Sequence, residues 1–325
     1  MNRRDSLRLL GGLAAASALP SFAQQPTRLA RVGVLSAGSK ANFQSRADAL
    51  VKGLADLGWV EGKTVAYTWR NANGQADLQA TYAHELQGLV DVIVAASTNS
   101  TRALLRTKGP VPVVMASVED PVAEGFVKAV DKPGTNMTGI AASTYDHLDR
   151  HVELLMAVTP RLTRITALVN PENPSARGFR GRLQSTVRAG TRLIFVNAAS
   201  PAQIENAFPA RARDDADGLM VMNDTVFFNE RRTITDAAAR AKRPAVYPLR
   251  GFVESGGLMS YGPNQEANFA RAASFVDRIL KGAKAADIPM ETSPKLELVI
   301  NRDVASNLSL QIPPEIAQQA VMVPR

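Results

Sequence analysis

Short runs of β-branched residues alternate with longer amphipathic stretches along this 325-residue chain, and no other feature constrains its fold as tightly. The pattern starts with a predicted strand at Arg31–Leu35 and a predicted helix at 42–57. Further strand candidates follow at Val65–Trp69, Val92–Ala95 and Val111–Ala116, with helices between them, the second of which is predicted at Thr98–Thr107. These strand candidates are continuously apolar rather than alternating, which is typical of strands covered on both faces. The first half therefore predicts a parallel sheet with helices on both sides.

The same order of elements repeats between residues 146 and 247, where four predicted strands again alternate with helices, the last of which is predicted at 227–242. The repeat is one of element order and not of sequence. A long amphipathic helix at 264–281 and a strand at 296–300 lie outside both units. We therefore predict an α/β fold of two doubly wound parallel-sheet lobes, between which the chain crosses more than once.

The N-terminus has the pattern of a cleavable export signal. Arg3, Arg4 and Arg8 precede a short apolar run, and Ser21-Phe22-Ala23 supplies the small-x-small pattern that a signal peptidase requires. The basic segment is similar to a twin-arginine signal, and both the twin-arginine and the general secretory routes stay open. The apolar run is shorter than the roughly 20 residues that span a bilayer. We predict cleavage after Ala23 and a periplasmic location.

Composition and charge exclude several classes of site. The sequence contains no cysteine, which excludes disulfide bonds, thiolate ligands and a lipid anchor on cysteine. The formal charge is +8, and its excess of basic residues lies between positions 161 and 250. We interpret that excess mainly as a solvated surface, with an anionic ligand as the alternative. Because the basic residues are scattered without a nucleic-acid-binding module, nucleic acid is not an expected partner.

The sequence lacks the frames of common enzymes: it has no GxGxxG, Walker loop, GxSxG or HExxH pattern. His147 and His151 share one face of a predicted helix, which is a spacing that can bind a metal. However, Leu148 stands where a zinc protease has glutamate, and no third ligand is evident. We predict no metal, no cofactor and no enzymatic activity.

Small polar residues follow the predicted strands at the point where each strand ends. Ligands of open α/β sheets bind at that edge, where hydroxyls, amides and helix N-termini can hold a small polar molecule. The candidate ligand-binding residues are Ser36, Ser39, Ser97, Thr98 and Ser117 in the first half and Asn170, Asn223, Asp224 and Tyr247 in the second. Each has a structural alternative, because such polar residues also cap helices and a tyrosine also packs in cores. We interpret Phe227 and Phe228 as core residues, with the wall of the cleft as the alternative.

Several short runs occur in an order that is typical of one family. The most specific are GLADLGWVEG at Gly53–Gly62 and GGLMSYG at Gly256–Gly262. Asp120-Pro121, Pro133–Gly139 and Asn170–Pro174 are further landmarks. With these runs, the chain resembles the ABC transporter substrate-binding protein family that includes aromatic amino-acid-binding members.

The resemblance implies a periplasmic-binding-protein fold of type I, in which three crossovers connect two lobes that close around a ligand. We expect the first lobe at 24–141, the second at 142–258, a return to the first at 259–289 and a return to the second at 290–325. The implied function is the capture of an amino acid or another small polar solute by a monomer, for delivery to the permease of an ABC importer in the inner membrane. A periplasmic ligand sensor with a signalling partner and a periplasmic hydrolase are the alternatives.

Overall fold

A computed structural model describes residues 28–187, 189–207 and 217–324 of the chain. The predicted export signal lies outside these residues. In the described part, two β-sheets each form the middle layer of a lobe that has helices on both faces. No described helix is both long enough and apolar enough to cross a membrane.

The first lobe is built on a six-stranded sheet. Its strands are β1 (Ala30–Ser36), β2 (Val65–Asn71), β3 (Val92–Ala95), β4 (Val113–Val118), β5 (Met137–Ala141) and β11 (Glu291–Thr292). Its helices are α1 (Lys40–Asp56), α2 (Ala76–Leu89), α3 (Thr98–Thr107) and α10 (Gln265–Leu280). The spatial order is β11-β5-β4-β3-β1-β2 and every pairing is parallel, so the carboxyl ends of all six strands lie at one edge.

The second lobe is built on a seven-stranded sheet in the order β13-β12-β10-β9-β8-β6-β7. Its strands are β6 (Arg164–Val169), β7 (Arg192–Asn197), β8 (Asp217–Val221), β9 (Ala245–Tyr247), β10 (Met259–Pro263), β12 (Leu296–Asn301) and β13 (Ala320–Val323). Its helices are α4 (Leu148–Val158), α5 (Ala176–Thr186), α6 (Pro201–Asn206), α7 (Thr225–Asn229), α8 (Arg231–Arg240), α9 (Arg250–Glu254), α11 (Arg302–Asn307) and α12 (Pro314–Ala317). Because β10 and β12 pair antiparallel, β12 and β13 run against the other five strands.

The hydrophobic cores explain why the strand sequences are continuously apolar. Every residue of β3, β4 and β8 is buried. Neighbouring residues of one strand belong to cores on opposite faces of the first sheet: Val34 packs under α1 and α10, whereas Leu35 packs under α2 and α3. A strand of this kind needs an apolar side chain at each position, and its sequence therefore shows no alternation.

The Gly53–Gly62 run attaches α10 to the first lobe. A Cβ atom on Gly53 would lie 2.8 Å from the backbone oxygen of Ala270, so the close approach of α1 and α10 requires glycine there. Trp59 then donates its indole N–H to Asp277 of α10 at 2.9 Å. A helix late in the sequence is in this way held against the beginning of the chain.

The chain crosses between the lobes three times: after β5, between β10 and α10, and between β11 and β12. Since β10 pairs with β9 and β12, the return to the first lobe comes at residue 264 rather than at the expected 259. Since β11 pairs with β5, the return to the second lobe follows Thr292 rather than residue 289. Strands β5 and β10 are absent from the sequence prediction because each contains a glycine that interrupts its apolar run.

Candidate functional site

A cavity lies between the lobes, where the loops that follow the strands of both sheets meet. We call it the inner cavity; its volume is about 60 Å³, which is room for a few water molecules. Its lining comes from the carboxyl ends of β1 and β4, from the loops after β1, β3, β4, β6, β8 and β9, and from the helices α1, α3, α7 and α10. The lining residues are Ser36, Ala37, Gly38, Arg46, Ala96, Ser97, Thr98, Asn99, Ser117, Glu119 and Gln265 of the first lobe and Asn173, Asn223, Asp224, Thr225, Phe228, Asn229 and Leu249 of the second.

A larger groove of about 700 Å³ adjoins the inner cavity, also between the lobes. We call it the outer groove. Four residues line both spaces: Arg46, Phe228, Leu249 and Gln265. These side chains therefore form the boundary between the inner cavity and the outer groove.

Three hydroxyl groups of the first lobe can donate hydrogen bonds into the inner cavity. Ser36 Oγ accepts a backbone N–H of its own loop at 3.1 Å. Thr98 Oγ1 accepts the backbone N–H of Glu119 at 3.1 Å, and Ser117 Oγ accepts the side-chain amide of Gln265 at 3.2 Å. Because each oxygen acts as an acceptor in these bonds, each hydroxyl hydrogen is left to donate to a ligand.

The two remaining serine candidates cap helices. Ser97 is the N-cap of α3, where its Oγ accepts the backbone N–H of Ser100, and it also lines the inner cavity. Ser39 is the N-cap of α1, where its Oγ accepts the backbone N–H of Asn42 at 3.3 Å. Ser39 does not line the inner cavity, so the structure gives it the capping role alone.

Glu119 is a buried carboxylate on the wall of the inner cavity, with 3% of its surface exposed. Its Oε1 accepts the side-chain amide of Asn223 across the lobes at 2.9 Å, and its Oε2 accepts the backbone N–H of Thr144 at 2.9 Å. Burial raises the pKa of Glu119, and these donors lower it. The carboxylate retains acceptor capacity for a donor that enters the cavity.

Asp224 also lines the inner cavity, but its acceptor capacity is used within the second lobe. Its Oδ1 accepts the backbone N–H groups of Val226 and Phe227, which caps α7. Its Oδ2 accepts the side-chain amides of Asn170 at 3.1 Å and Asn173 at 2.7 Å. Burial raises the pKa of Asp224, which is 4% exposed. Asp224 thus fixes the loop after β6, and Asn170 acts through it without lining the inner cavity.

Tyr247 lies in the core of the second lobe rather than at the expected ligand site. It is 1% exposed and does not line the inner cavity. Its ring stacks on Phe252 with the centroids 5.0 Å apart and an interplanar angle of 9°. Burial raises its pKa well above the ordinary value. The tyrosine therefore stabilises the packing of β9 against α9.

His147 and His151 pack against a common aromatic ring. Their centroids lie 5.9 and 6.0 Å from the ring of Tyr261, and His151 Nδ1 lies 2.9 Å from the backbone oxygen of His147. Within the described ranges, no group of three or more potential metal ligands comes together. The i, i+4 spacing of the two histidines here serves packing.

Arg46 is a site residue that the sequence analysis missed. Its guanidinium lies between the ring of Phe43, 5.1 Å away, and the ring of Phe228 of the second lobe, 5.2 Å away. Desolvation lowers its pKa to about 10. A signal was present: Arg46 stands three residues after Phe43 and four before Leu50, both buried, so a charge falls on the buried face of α1.

Phe228 corrects a second interpretation. Phe227 is fully buried in the core, as expected, whereas Phe228 lines both spaces between the lobes. The sequence does not show which of the two phenylalanines faces the core. Adjacent residues of a helix point in directions about 100° apart, and the side chains are of the same type.

Polar contacts join the lobes around the inner cavity. Besides the bond from Asn223 to Glu119, Ser175 Oγ lies 2.9 Å from Glu124, and Asn42 Nδ2 donates to Asn229 Oδ1 at 3.1 Å. The two lobes are therefore in contact around the inner cavity.

Residues 31–323 match the sequence family described as ABC transporter substrate binding protein. The chain belongs to this family. The predicted resemblance is thus confirmed. One relative, the tyrosine-binding protein of Clostridioides difficile (strain R20291), is 26% identical over 262 residues, which are 80% of this chain and 75% of the relative.

Solved structures of similar fold confirm the predicted type I periplasmic-binding-protein architecture of this substrate-binding protein. A conserved domain protein from Vibrio cholerae superposes with a TM-score of 0.83 at 24% identity, over 92% of this chain and 100% of that one. The ABC domain from Streptococcus pneumoniae in complex with L-Trp gives a TM-score of 0.80 at 25% identity, over 91% of this chain and 100% of that one.

Proposed function

We propose that this substrate-binding protein captures a small zwitterionic solute, an amino acid or a close analogue, between its lobes and delivers it to the permease of an ABC importer. The observation that carries the proposal is the inner cavity, which presents hydroxyl donors and a buried carboxylate to the same small space. A tyrosine-binding relative and a related structure that contains L-Trp support an amino acid as the ligand class.

The proposed contacts follow from hydrogen-bonding capacity. The hydroxyls of Ser36, Thr98 and Ser117 would donate to ligand oxygens, together with Ser97 at the N-terminus of α3. Glu119, with the side-chain oxygen of Asn223, would accept from an ammonium group. The saturated carboxylate of Asp224 would shape the wall of the site and would not pair with the ligand.

Capture would be coupled to movement of the lobes. The inner cavity of about 60 Å³ is too small for an aromatic amino acid to enter while the lobes are in contact. Ligand would therefore enter an open form, and closure would follow in proportion to the differential affinity of the ligand for the closed form. The permease would recognise the closed pair of lobes.

A thermal-shift screen of residues 24–325 against amino acids, other carboxylates, sugars and nucleobases tests ligand capture. A ligand at about 100 times its Kd adds roughly 2.7 kcal/mol to the free energy of unfolding, which is visible as a raised Tm. Gly38→Leu would fill the inner cavity and should abolish the shift. The matched control Gly88→Leu, on α2 with nothing within 4 Å of its added Cβ, should retain it. An undiminished shift in Gly38→Leu would refute the cleft as the site.

Delivery needs a separate test. In proteoliposomes that contain the partner ABC importer, liganded protein should stimulate ATP hydrolysis and uptake of labelled ligand. Stimulation of a signalling partner without uptake would instead indicate a sensor, and turnover of the ligand would indicate a hydrolase.

We propose that the protein acts as a monomer outside the cytoplasmic membrane, after cleavage following Ala23. Mass spectrometry and light scattering of the periplasmic fraction check the mature N-terminus and the oligomeric state.

A further inference from the structure

Arg46 lines the inner cavity and, among the described residues, has no carboxylate at ion-pair distance; Glu266 acts on it only through longer-range attraction, which opposes the lowering of its pKa by burial. Its Nη2 donates to the backbone oxygen of Asn42, and among the described residues it forms no salt bridge. Arg250, which lines the outer groove, pairs with both Glu254 and Glu297. A guanidinium has five N–H donors, so most of those of Arg46 have no acceptor in the described protein.

The surroundings of Arg46 hold the guanidinium in place at the boundary between the inner cavity and the outer groove. Phe43 comes from the first lobe and Phe228 from the second, and both rings lie within 5.2 Å of the guanidinium carbon. Arg231 lies 4.8 Å from the ring of Phe228 and adds a second positive charge nearby. The flat guanidinium is thus positioned by packing and by the one bond from Nη2 to Asn42, while its other N–H groups have no acceptor among the described residues.

The charges of the inner cavity define the kind of anion that fits. Asp224 is saturated by four donors, and Glu119 retains capacity to accept, so the anionic side of the cavity attracts a donor group. Arg46 is the cation among the described lining residues of the inner cavity. One guanidinium matches a single carboxylate in a bidentate pair.

We propose that Arg46 binds the carboxylate of the ligand, which makes the acid group a requirement for recognition and distinguishes acids from their amides. The inference rests on the proposed capture function and assigns the ligand class more narrowly. Because Arg46 also contacts Phe228 of the second lobe, the carboxylate is bound where the two lobes meet. Binding of the acid group therefore favours the closed form.

Calorimetric titration of the purified protein with matched probes tests this assignment. The probes are L-tyrosine and L-tryptophan, their carboxamides, and any acid that raises the Tm in the screen, together with its carboxamide. For the wild type, we expect each acid to bind about 30-fold more tightly than its amide or better, which is the effect of removing one member of a desolvated charge pair. Arg46→Gln should weaken binding of the acid by a similar factor and abolish the difference between acid and amide.

Two further variants keep the test independent of folding. Arg46→Lys retains the charge without the flat fork and should keep part of the preference for acids. The matched control Arg232→Gln removes an exposed arginine of α8 that lines neither the inner cavity nor the outer groove, and it should change affinity by less than about threefold.

The outcomes separate this inference from the proposed function. Tight binding of amides by the wild type, or an acid preference that survives Arg46→Gln, would overturn the assignment of Arg46 and leave ligand capture intact. Failure of every acid, amide and neutral compound to bind the folded wild type would overturn both.

Discussion

Replacing Asp224 by asparagine should destabilise the second lobe, although the substitution changes only one oxygen to an NH₂ group. The introduced side chain can still cap α7 through its remaining oxygen. Its NH₂ group would face the amides of Asn170 and Asn173, which now donate to Oδ2 at 3.1 and 2.7 Å. Two hydrogen bonds to a charged acceptor, each contributing about 1.5–3 kcal/mol, would be lost in a buried site. We expect a loss of about 3–5 kcal/mol in the free energy of unfolding.

Urea denaturation followed by far-UV circular dichroism measures this loss. Tryptophan fluorescence is unsuitable, because both tryptophans, Trp59 and Trp69, lie in the first lobe. The control is Asp120→Asn, at an exposed residue whose Oδ1 accepts the backbone N–H of Ala123 at 2.9 Å. Asparagine caps as well as aspartate, so the control should change stability by less than about 0.5 kcal/mol.

A second substitution tests the cause of the loss. Asn170→Asp in the Asp224→Asn background restores the hydrogen bond between the two side chains, with residue 224 now the donor and residue 170 the acceptor. The other oxygen of residue 170 still accepts the backbone N–H of Glu172. We expect recovery of about 1–2 kcal/mol, whereas Asn170→Asp alone should destabilise by setting two carboxylates face to face. A loss below about 1 kcal/mol in Asp224→Asn, or additive effects in the double variant, would refute the view that Asp224 is a saturated structural acceptor.

Two further predictions concern stability. Burial lowers the pKa of His151 to about 4, below its unfolded value of about 6.5. Between these two pH values the unfolded state binds more protons than the folded state. The free energy of unfolding therefore falls as the pH drops from about 6.5 to 4. His151→Leu should remove about 3 kcal/mol of this pH dependence relative to the wild type. The control His84→Gln, at an exposed residue, should leave the pH dependence of the wild type unchanged. Urea denaturation midpoints measured between about pH 4 and 6.5 compare the variants. Gly262→Ala would place a Cβ 2.1 Å from the backbone oxygen of Pro248 and should lower the free energy of unfolding by about 2–3 kcal/mol. The control Gly181→Ala on α5 has no atom within 4 Å of the added Cβ and should raise the free energy of unfolding slightly. Thermal unfolding measures both effects.

The parts of the fold that sequence predicts well are those where one physical signal acts alone. Strand Val92–Ala95 and helix Thr98–Thr107 have the predicted bounds, because a buried apolar run and a serine cap define them locally. The predicted helix at 227–242 is instead two helices that meet at Glu230, since hydrophobic periodicity continues across so short a break. Strands β5 and β10 are recognisable only by their pairing, which is not encoded in the strands themselves.

The candidate site shows the same limit at the level of single residues. Ser36 ends β1 and Ser39 stands only three positions later, yet Ser36 lines the inner cavity whereas Ser39 caps α1. Asn170 and Asp224 were predicted as equivalent ligand contacts. In the structure they bond to each other, which a sequence pattern of polar residues at strand ends does not reveal.

Sequence reasoning also looked for the ligand's charge partners only in the loops after strands, and the proposed carboxylate partner stands within a helix. Arg46 becomes part of a site because α1 presents it to the second lobe, where Phe228 completes its surroundings. The two charged groups that retain capacity for a ligand, Arg46 and Glu119, both belong to the first lobe, whereas the second lobe contributes the saturated Asp224. It follows from the proposed assignment that a ligand docks on the first lobe while the protein is open. Closure then brings Asn223 and Phe228 of the second lobe to the site. The second lobe thus contacts an acid that is already bound to the first lobe and does not supply a charge that binds it.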